Sequence, residues 1–150
     1  MSIPAQESGQ EIFLISILFR VYNRLIRDIK VPFKIKGGDR IDDTPVHEAL
    51  REALANCLVN ADFYGVRGVV IKKEPERIIF ENPGNIRTGK WQMRLGGISD
   101  PRNKTLLKMF NLINIGERAG SGVPNIFQIW ENEGWLSLIR FSGRPDVQEY

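Results

Sequence analysis

Residues 45–63, PVHEALREALANCLVNADF, constrain the fold of this 150-residue chain more than any other stretch. They read as one amphipathic helix. Pro45 suits the first helical position, Thr44 or Asp43 can cap it, and Glu48 places a carboxylate in the first turn, at the positive end of the helix dipole. Leu50, Ala53, Leu54, Cys57, Leu58 and Ala61 recur at spacings of three and four, so they form one stripe that has to face a core. A polar row, Glu52, Asn56 and Asn60, repeats every four residues, and each step drifts only about 40° around the helix.

A polar row of this kind is by default a solvated face. The side chains chosen here argue for more. Asn is a poor helix former because its amide competes for nearby backbone groups, and Lys, Glu or Gln would serve solvent better. Two carboxamides and a carboxylate on one face suit hydrogen bonding, or oxygen ligation of a hard cation such as magnesium.

The apolar and charged fractions, 42% and 26%, belong to an ordinary globular protein large enough for one core. A net charge of +3 permits polyanion binding without demanding it. The chain has one Cys and one His, Cys57 and His47. That argues against an intrachain disulfide, a structural zinc centre and hydrolytic triads. The longest apolar run, residues 12–19, is short of the ~20 residues of a membrane span, and no secretory leader pattern precedes it. A cytoplasmic protein with no membrane partner is expected.

Residues 1–9 read as a loose end. Ile12, Ile15, Leu18, Phe19, Tyr22, Leu25, Ile26 and Ile29 predict an amphipathic helix over 10–29. A short strand at VPFKI and a Gly-Gly turn lead into the central helix. After it come strands near 67–73 and 77–81, joined by a charged turn at EPER as a β-hairpin. The second strand ends in Asn82-Pro83-Gly84, and a long, basic, Gly-containing connection follows. Ser99 or Asp100 is the expected cap of a further helix with Pro101 in its first turn. The segment GERAGSGVPNI precedes a helix from Val123 to about Asn132, then WLSLIRFSG reads as a last strand and residues 143–150 as a tail. One domain over 10–142 follows, of α+β class: a two-layer sandwich with helices on one face of a mainly antiparallel sheet.

Glycines Gly116, Gly120 and Gly122 with Ser121 stand before a helix, where free backbone N–H groups can seat a phosphate. A helix-to-helix glycine turn is the plainer reading of such a segment. No Walker loop occurs. The cations of the long connection, among them Arg87 and Arg102, are by default solvated. Arg102-Asn103 draws notice because it sits at the start of a helix.

In combination, REALANCLVNADF, IIFENPGNI and SDPRNKTLLKMFNLINIGERAGSG, in that order, resemble the C-terminal domain of RecG-related ATP-dependent DNA helicases and transcriptional regulators. That domain is classed with the histidine-kinase-like ATPases. The resemblance covers roughly residues 40–142. It implies that Glu52 matches the glutamate that polarises the attacking water, and Asn56 the asparagine that helps hold magnesium. Gly84 matches a glycine of the first nucleotide-contacting box, and Gly120, Ser121 and Gly122 the second glycine box. Asn60, Asn82 and Arg102 complete the expected nucleotide contacts. ATP and magnesium are the cofactors so implied.

Two departures stand out. Asn82 occupies the position of the aspartate that accepts from the adenine amino group, and Asn60-Ala61-Asp62-Phe63 stands where the group often reads H-R-D-[YF]. An amide oxygen still accepts a hydrogen bond, but the carboxylate is gone. The resemblance implies an ATP-binding regulatory module with weak or no hydrolysis, acting on DNA through an N-terminal Schlafen/AlbA-type domain that this chain lacks. A second expectation is a nucleotide-free interaction or homodimerisation module. Helicase activity by this piece is not expected.

Overall fold

The computed structural model describes residues 5–27, 29, 34–41, 43–85, 87–97, 100–115, 122–135 and 147–149. Helix α1 spans Ala5–Ile26. Strands β1 (Lys34–Lys36) and β2 (Asp39–Ile41) form an antiparallel pair closed by Gly37-Gly38, both with positive φ, the backbone a two-residue hairpin turn requires. Helix α2 (Pro45–Asn60) leads to β3 (Val70–Lys73) and β4 (Ile78–Pro83), which pair antiparallel with Ile71 opposite Phe80. Helices α3 (Lys90–Leu95), α4 (Lys104–Leu112) and α5 (Gly122–Asn132) follow, and β5 (Val147–Glu149) pairs antiparallel with the end of β4.

Helix α2 is the centre of this α+β arrangement. It packs against α1, α4, α5 and β4, so every residue from Glu52 to Val59 is buried. The core joins Leu18, Leu25, Val46, Leu50, Leu54, Cys57, Phe80, Leu106, Phe110 and Ile129. Phe80, Ile71 and Ile78 meet it from the sheet. Val70 and Lys72 alternate with them and are exposed, and Lys72 pairs with Glu81 at 3.6 Å. One sheet face is therefore covered by helices and the other is open, the expected two-layer order.

The start of α2 is fixed by Thr44, whose backbone N–H donates to Nδ1 of His47 at 3.1 Å. His47 is thus half of a capping pair. Arg51 ties α2 to its surroundings. It donates to both carboxylate oxygens of Asp43, at 2.9 and 3.0 Å, and to the hydroxyl of Tyr22 at 3.0 Å. The hydrogen bond from Arg51 holds the Asp43 carboxyl below its usual range, while burial raises the Tyr22 phenol.

Several sequence expectations need correction. Ile12 and Phe19, two of the apolar positions that predict α1 as an amphipathic helix, are 58% and 42% exposed. The face that meets α2 and α4 is centred on Leu14, Leu18 and Leu25, and a neighbour in sequence lies about 100° away around the helix. The long connection contains α3. Helix α4 starts at Lys104 with Asn103 as its cap, so Ser99, Asp100 and Pro101 do not open it. The stretch read as a tail supplies β5. The strand expected at WLSLIRFSG falls, after Trp135, outside the described residues. Among these residues no helix is long and apolar enough to cross a membrane.

Candidate functional site

The polar row of α2 splits in two. Glu52 and Asn56 are buried, at 9% and 8% exposure, and Asn82 on β4 is wholly buried. A solvated face is excluded for them. The Nδ2 atom of Asn56 has no hydrogen-bond partner among the described residues. A buried amide in that state costs roughly 1–3 kcal/mol, so its retention needs a reason. Asn60 behaves otherwise: its Nδ2 donates back to the Asn56 carbonyl at 3.0 Å, closing the last turn of the helix.

That last turn is gripped from outside by two consecutive residues. The amide of Asn103 donates to the carbonyls of Leu58, Val59 and Ala61 at 3.2, 2.9 and 2.9 Å, and its backbone N–H reaches Val59 at 2.8 Å. Arg102 donates from Nε to the Asn60 carbonyl at 3.2 Å and from Nη2 to the Asn85 carbonyl at 2.8 Å. The orphan carbonyls of a helix end are thereby satisfied by side chains from the start of another helix. This role fixes where α4 begins. It also gives Arg102, expected among the nucleotide contacts, a structural task.

Gly84 lies under the Arg102 guanidinium with φ of 109°, where a Cβ would approach Nη2 to 3.0 Å. Beyond α2 the Asp62 N–H donates to the Pro83 carbonyl at 2.8 Å, and its carboxylate accepts from the Tyr64 N–H at 3.1 Å. These contacts bring the end of α2, the end of β4 and the Arg102 segment to one place. A cleft of about 490 Å³ opens there, lined among others by Asp62, Gly65, Arg67, Gly84, Arg87 and Arg102. Arg87 is ion-paired with Asp100 at 3.1 Å.

Of the expected second glycine box, Gly122 is buried at the first position of α5, which packs along α2. Gly120 and Ser121 lie outside the described residues. Sequence reasoning passed over Asp62 and Arg67, whose signal was faint: a DFYGVRG turn with one carboxylate and one cation. Cys57 is buried against this layer, and its thiol is pushed up by burial first and by the Glu81 charge second.

No curated protein matches the sequence. Among solved structures, the crystal structure of the DIP2311 protein from Corynebacterium diphtheriae is similar, with a TM-score of 0.66 at 18% identity. The likeness covers 88% of this chain and 28% of that one, so the chain spans little more than a quarter of that protein. At this identity it establishes the fold. A family model described as "Putative ATP-dependent DNA helicase recG C-terminal" matches residues 67–141, half of the chain. The chain belongs to that family, with the α+β fold of a histidine-kinase-like ATPase domain.

Proposed function

We propose that the chain is an ATP-binding regulatory module with weak or no hydrolysis, working within a longer DNA-associated protein. The observation that carries this reading is Asn56, buried on the central helix with an amide end that no described residue satisfies. A half-turn of a carboxamide exchanges its oxygen and nitrogen, so the orphaned position suits either a donor or a ligand oxygen. Glu52, one turn earlier, adds a carboxylate on the same row.

This donor set fits a magnesium nucleotide better than a free metal site. Among the described residues no three His, Cys, Asp or Glu side chains could hold an ion by themselves. Magnesium is commonly held by one or two protein oxygens together with phosphates. Asn56 is the residue that would hold the ion, and Glu52 the one placed to accept a proton from water. Magnesium, when bound, neutralises phosphate charge. Asn82 offers an amide where adenine would be met, and Gly84, Arg102 and the Gly120-Ser121-Gly122 segment complete the proposed contacts. The lost aspartate removes a carboxylate contact to adenine, so weak binding and little turnover are expected.

Thermal unfolding with and without magnesium-ATP tests the reading. Binding to the folded state raises its midpoint by mass action, by about 2.7 kcal/mol of stability at a hundredfold excess over Kd. A shift specific to adenine nucleotides and lost in Asn56→Ala supports it. No shift at millimolar nucleotide, with folded protein, sinks it.

A second reading, an interaction or homodimerisation module, is favoured by one observation. Ile12 and Phe13 on α1 are 58% and 61% exposed. Sedimentation of the wild type against Phe13→Ser would separate a dimer from a monomer.

A further inference from the structure

Helix α1 carries two apolar faces, and α2 with α4 cover one of them. Leu14, Leu18 and Leu25 of that face are buried in the core. At about 100° per residue, Ile12, Ser16, Phe19 and Asn23 fall within roughly 60° of one another, about 150° around the helix from those leucines. Ile12 and Phe19 are 58% and 42% exposed, and Phe13, beside them, 61%. Three large exposed apolar side chains on one rigid helix mark a contact surface.

A second copy of the same helix fits this face. The polar atom at its middle is already satisfied: the Ser16 hydroxyl donates to the Phe13 carbonyl at 2.7 Å, so a helix laid over it strands no hydrogen bond. So small a side chain also lets two helix axes approach. Ser16 stands at the middle of Ala5–Ile26, and a two-fold axis there overlaps the whole helix. Charge is divided lengthwise about the same point. Glu7 and Glu11 precede Ser16, whereas Arg20 and Arg24 follow it, with Arg27 just beyond. Antiparallel pairing sets the acidic half of each copy alongside the basic half of the other and opposes the two helix dipoles, while parallel pairing sets like charges together.

We propose that α1 is a self-association surface, pairing antiparallel with α1 of a second copy about a two-fold axis at Ser16. The proposal rests on the homodimer reading above and supplies its geometry. Phe19 packs against the partner's Ile12, and Phe13 against the stem of the partner's Arg20, whose guanidinium covers the ring. A face about 33 Å long and about 10 Å wide gives a footprint of roughly 700 Å² over two copies. That falls below the ~1,200 Å² of a stable complex, so the pair is weak and reversible.

Sedimentation of the whole chain from about 10 μM to about 1 mM tests it. A dimer that grows with concentration is expected, and Ile12→Asp should weaken it about tenfold or more with an unchanged melting midpoint. Its direction is read from cysteine pairs under oxidation, mapped by peptide mass spectrometry. Ser16→Cys should bridge to itself. Mixed Ile12→Cys and Phe19→Cys chains should bridge to each other, while Ile12→Cys alone should not, since its two copies stand about 12 Å apart along the pair. If Ile12→Asp unfolds, the cysteine pairs decide. A monomer at every concentration overturns this proposal and the homodimer reading together. A dimer indifferent to Ile12→Asp, or one in which Ile12→Cys bridges to itself, overturns the helix pairing and leaves the homodimer reading standing.

Discussion

Arg102 lies across Gly84, where an added Cβ would meet its Nη2 at 3.0 Å, its Cζ at 3.2 Å and its Nε at 3.2 Å. The guanidinium cannot easily retreat, because Nε and Nη2 are held by the carbonyls of Asn60 and Asn85. The glycine also has φ of 109°, a backbone that L side chains rarely adopt. Gly84→Ala should therefore lose about 1–2 kcal/mol of stability from the backbone alone, and more if Arg102 is displaced. Urea unfolding measures it. A loss below about 0.5 kcal/mol would mean that the contact is loose.

Asn103 bonds three carbonyls at the end of α2 and one of its backbone groups bonds a fourth time to Val59. Asn103→Ala takes the side-chain donor from the backbone carbonyls of Leu58 and Ala61 and leaves Val59 only the backbone N–H, at a cost of about 1–3 kcal/mol. Asn103→Asp should be worse than alanine, since it turns a carboxylate towards carbonyl oxygens. Equal midpoints for the two variants in chemical denaturation would contradict the donor role.

Asn56 should show a conflict between stability and binding. Replacing its orphaned amide by a similar-sized apolar side chain removes an unsatisfied buried group. Asn56→Leu is therefore expected to be more stable than wild type without nucleotide, by about 1 kcal/mol, and to lose any shift on adding magnesium-ATP. A destabilised Asn56→Leu would show that the amide is satisfied after all.

The Asp43–Arg51 pair predicts a pH dependence whose sign is fixed. Arg51 lowers the Asp43 carboxyl in the folded state, so the contribution is present above the unfolded value near pH 4 and is lost as pH falls through the lower folded value. Asp43 is 66% exposed, so solvent screening limits the effect to under about 1 kcal/mol. Asp43→Asn should be less stable than wild type near pH 7, with the difference shrinking in about 1 M salt and vanishing at strongly acid pH.

Cys57 is wholly buried and its thiol is raised by burial. A disulfide reagent should label it at least about a thousandfold more slowly in native buffer than in denaturant. Fast native labelling would reveal an opening of the α2 layer.

Much of this molecule is legible in its sequence. Period and caps are local properties, so the helical spacing of α2, its start at Thr44 and Pro45, the hairpin of β3 and β4, and the glycine-led α5 follow from neighbouring residues. So does the family, because its motifs are contiguous runs. What the sequence could not decide is which of several apolar faces meets a partner, as with Ile12 and Phe19, since that depends on what packs alongside. Nor could it show that Glu52 and Asn56 are buried, or that Asn103 rather than Ser99 or Asp100 caps α4. The burial follows from the elements packed around α2, and the cap arises where the end of one helix finds its hydrogen bonds on a segment more than forty residues away. Backbone carbonyls carry no sequence signal, and only the assembled tertiary structure brings Arg102 and Asn103 to them.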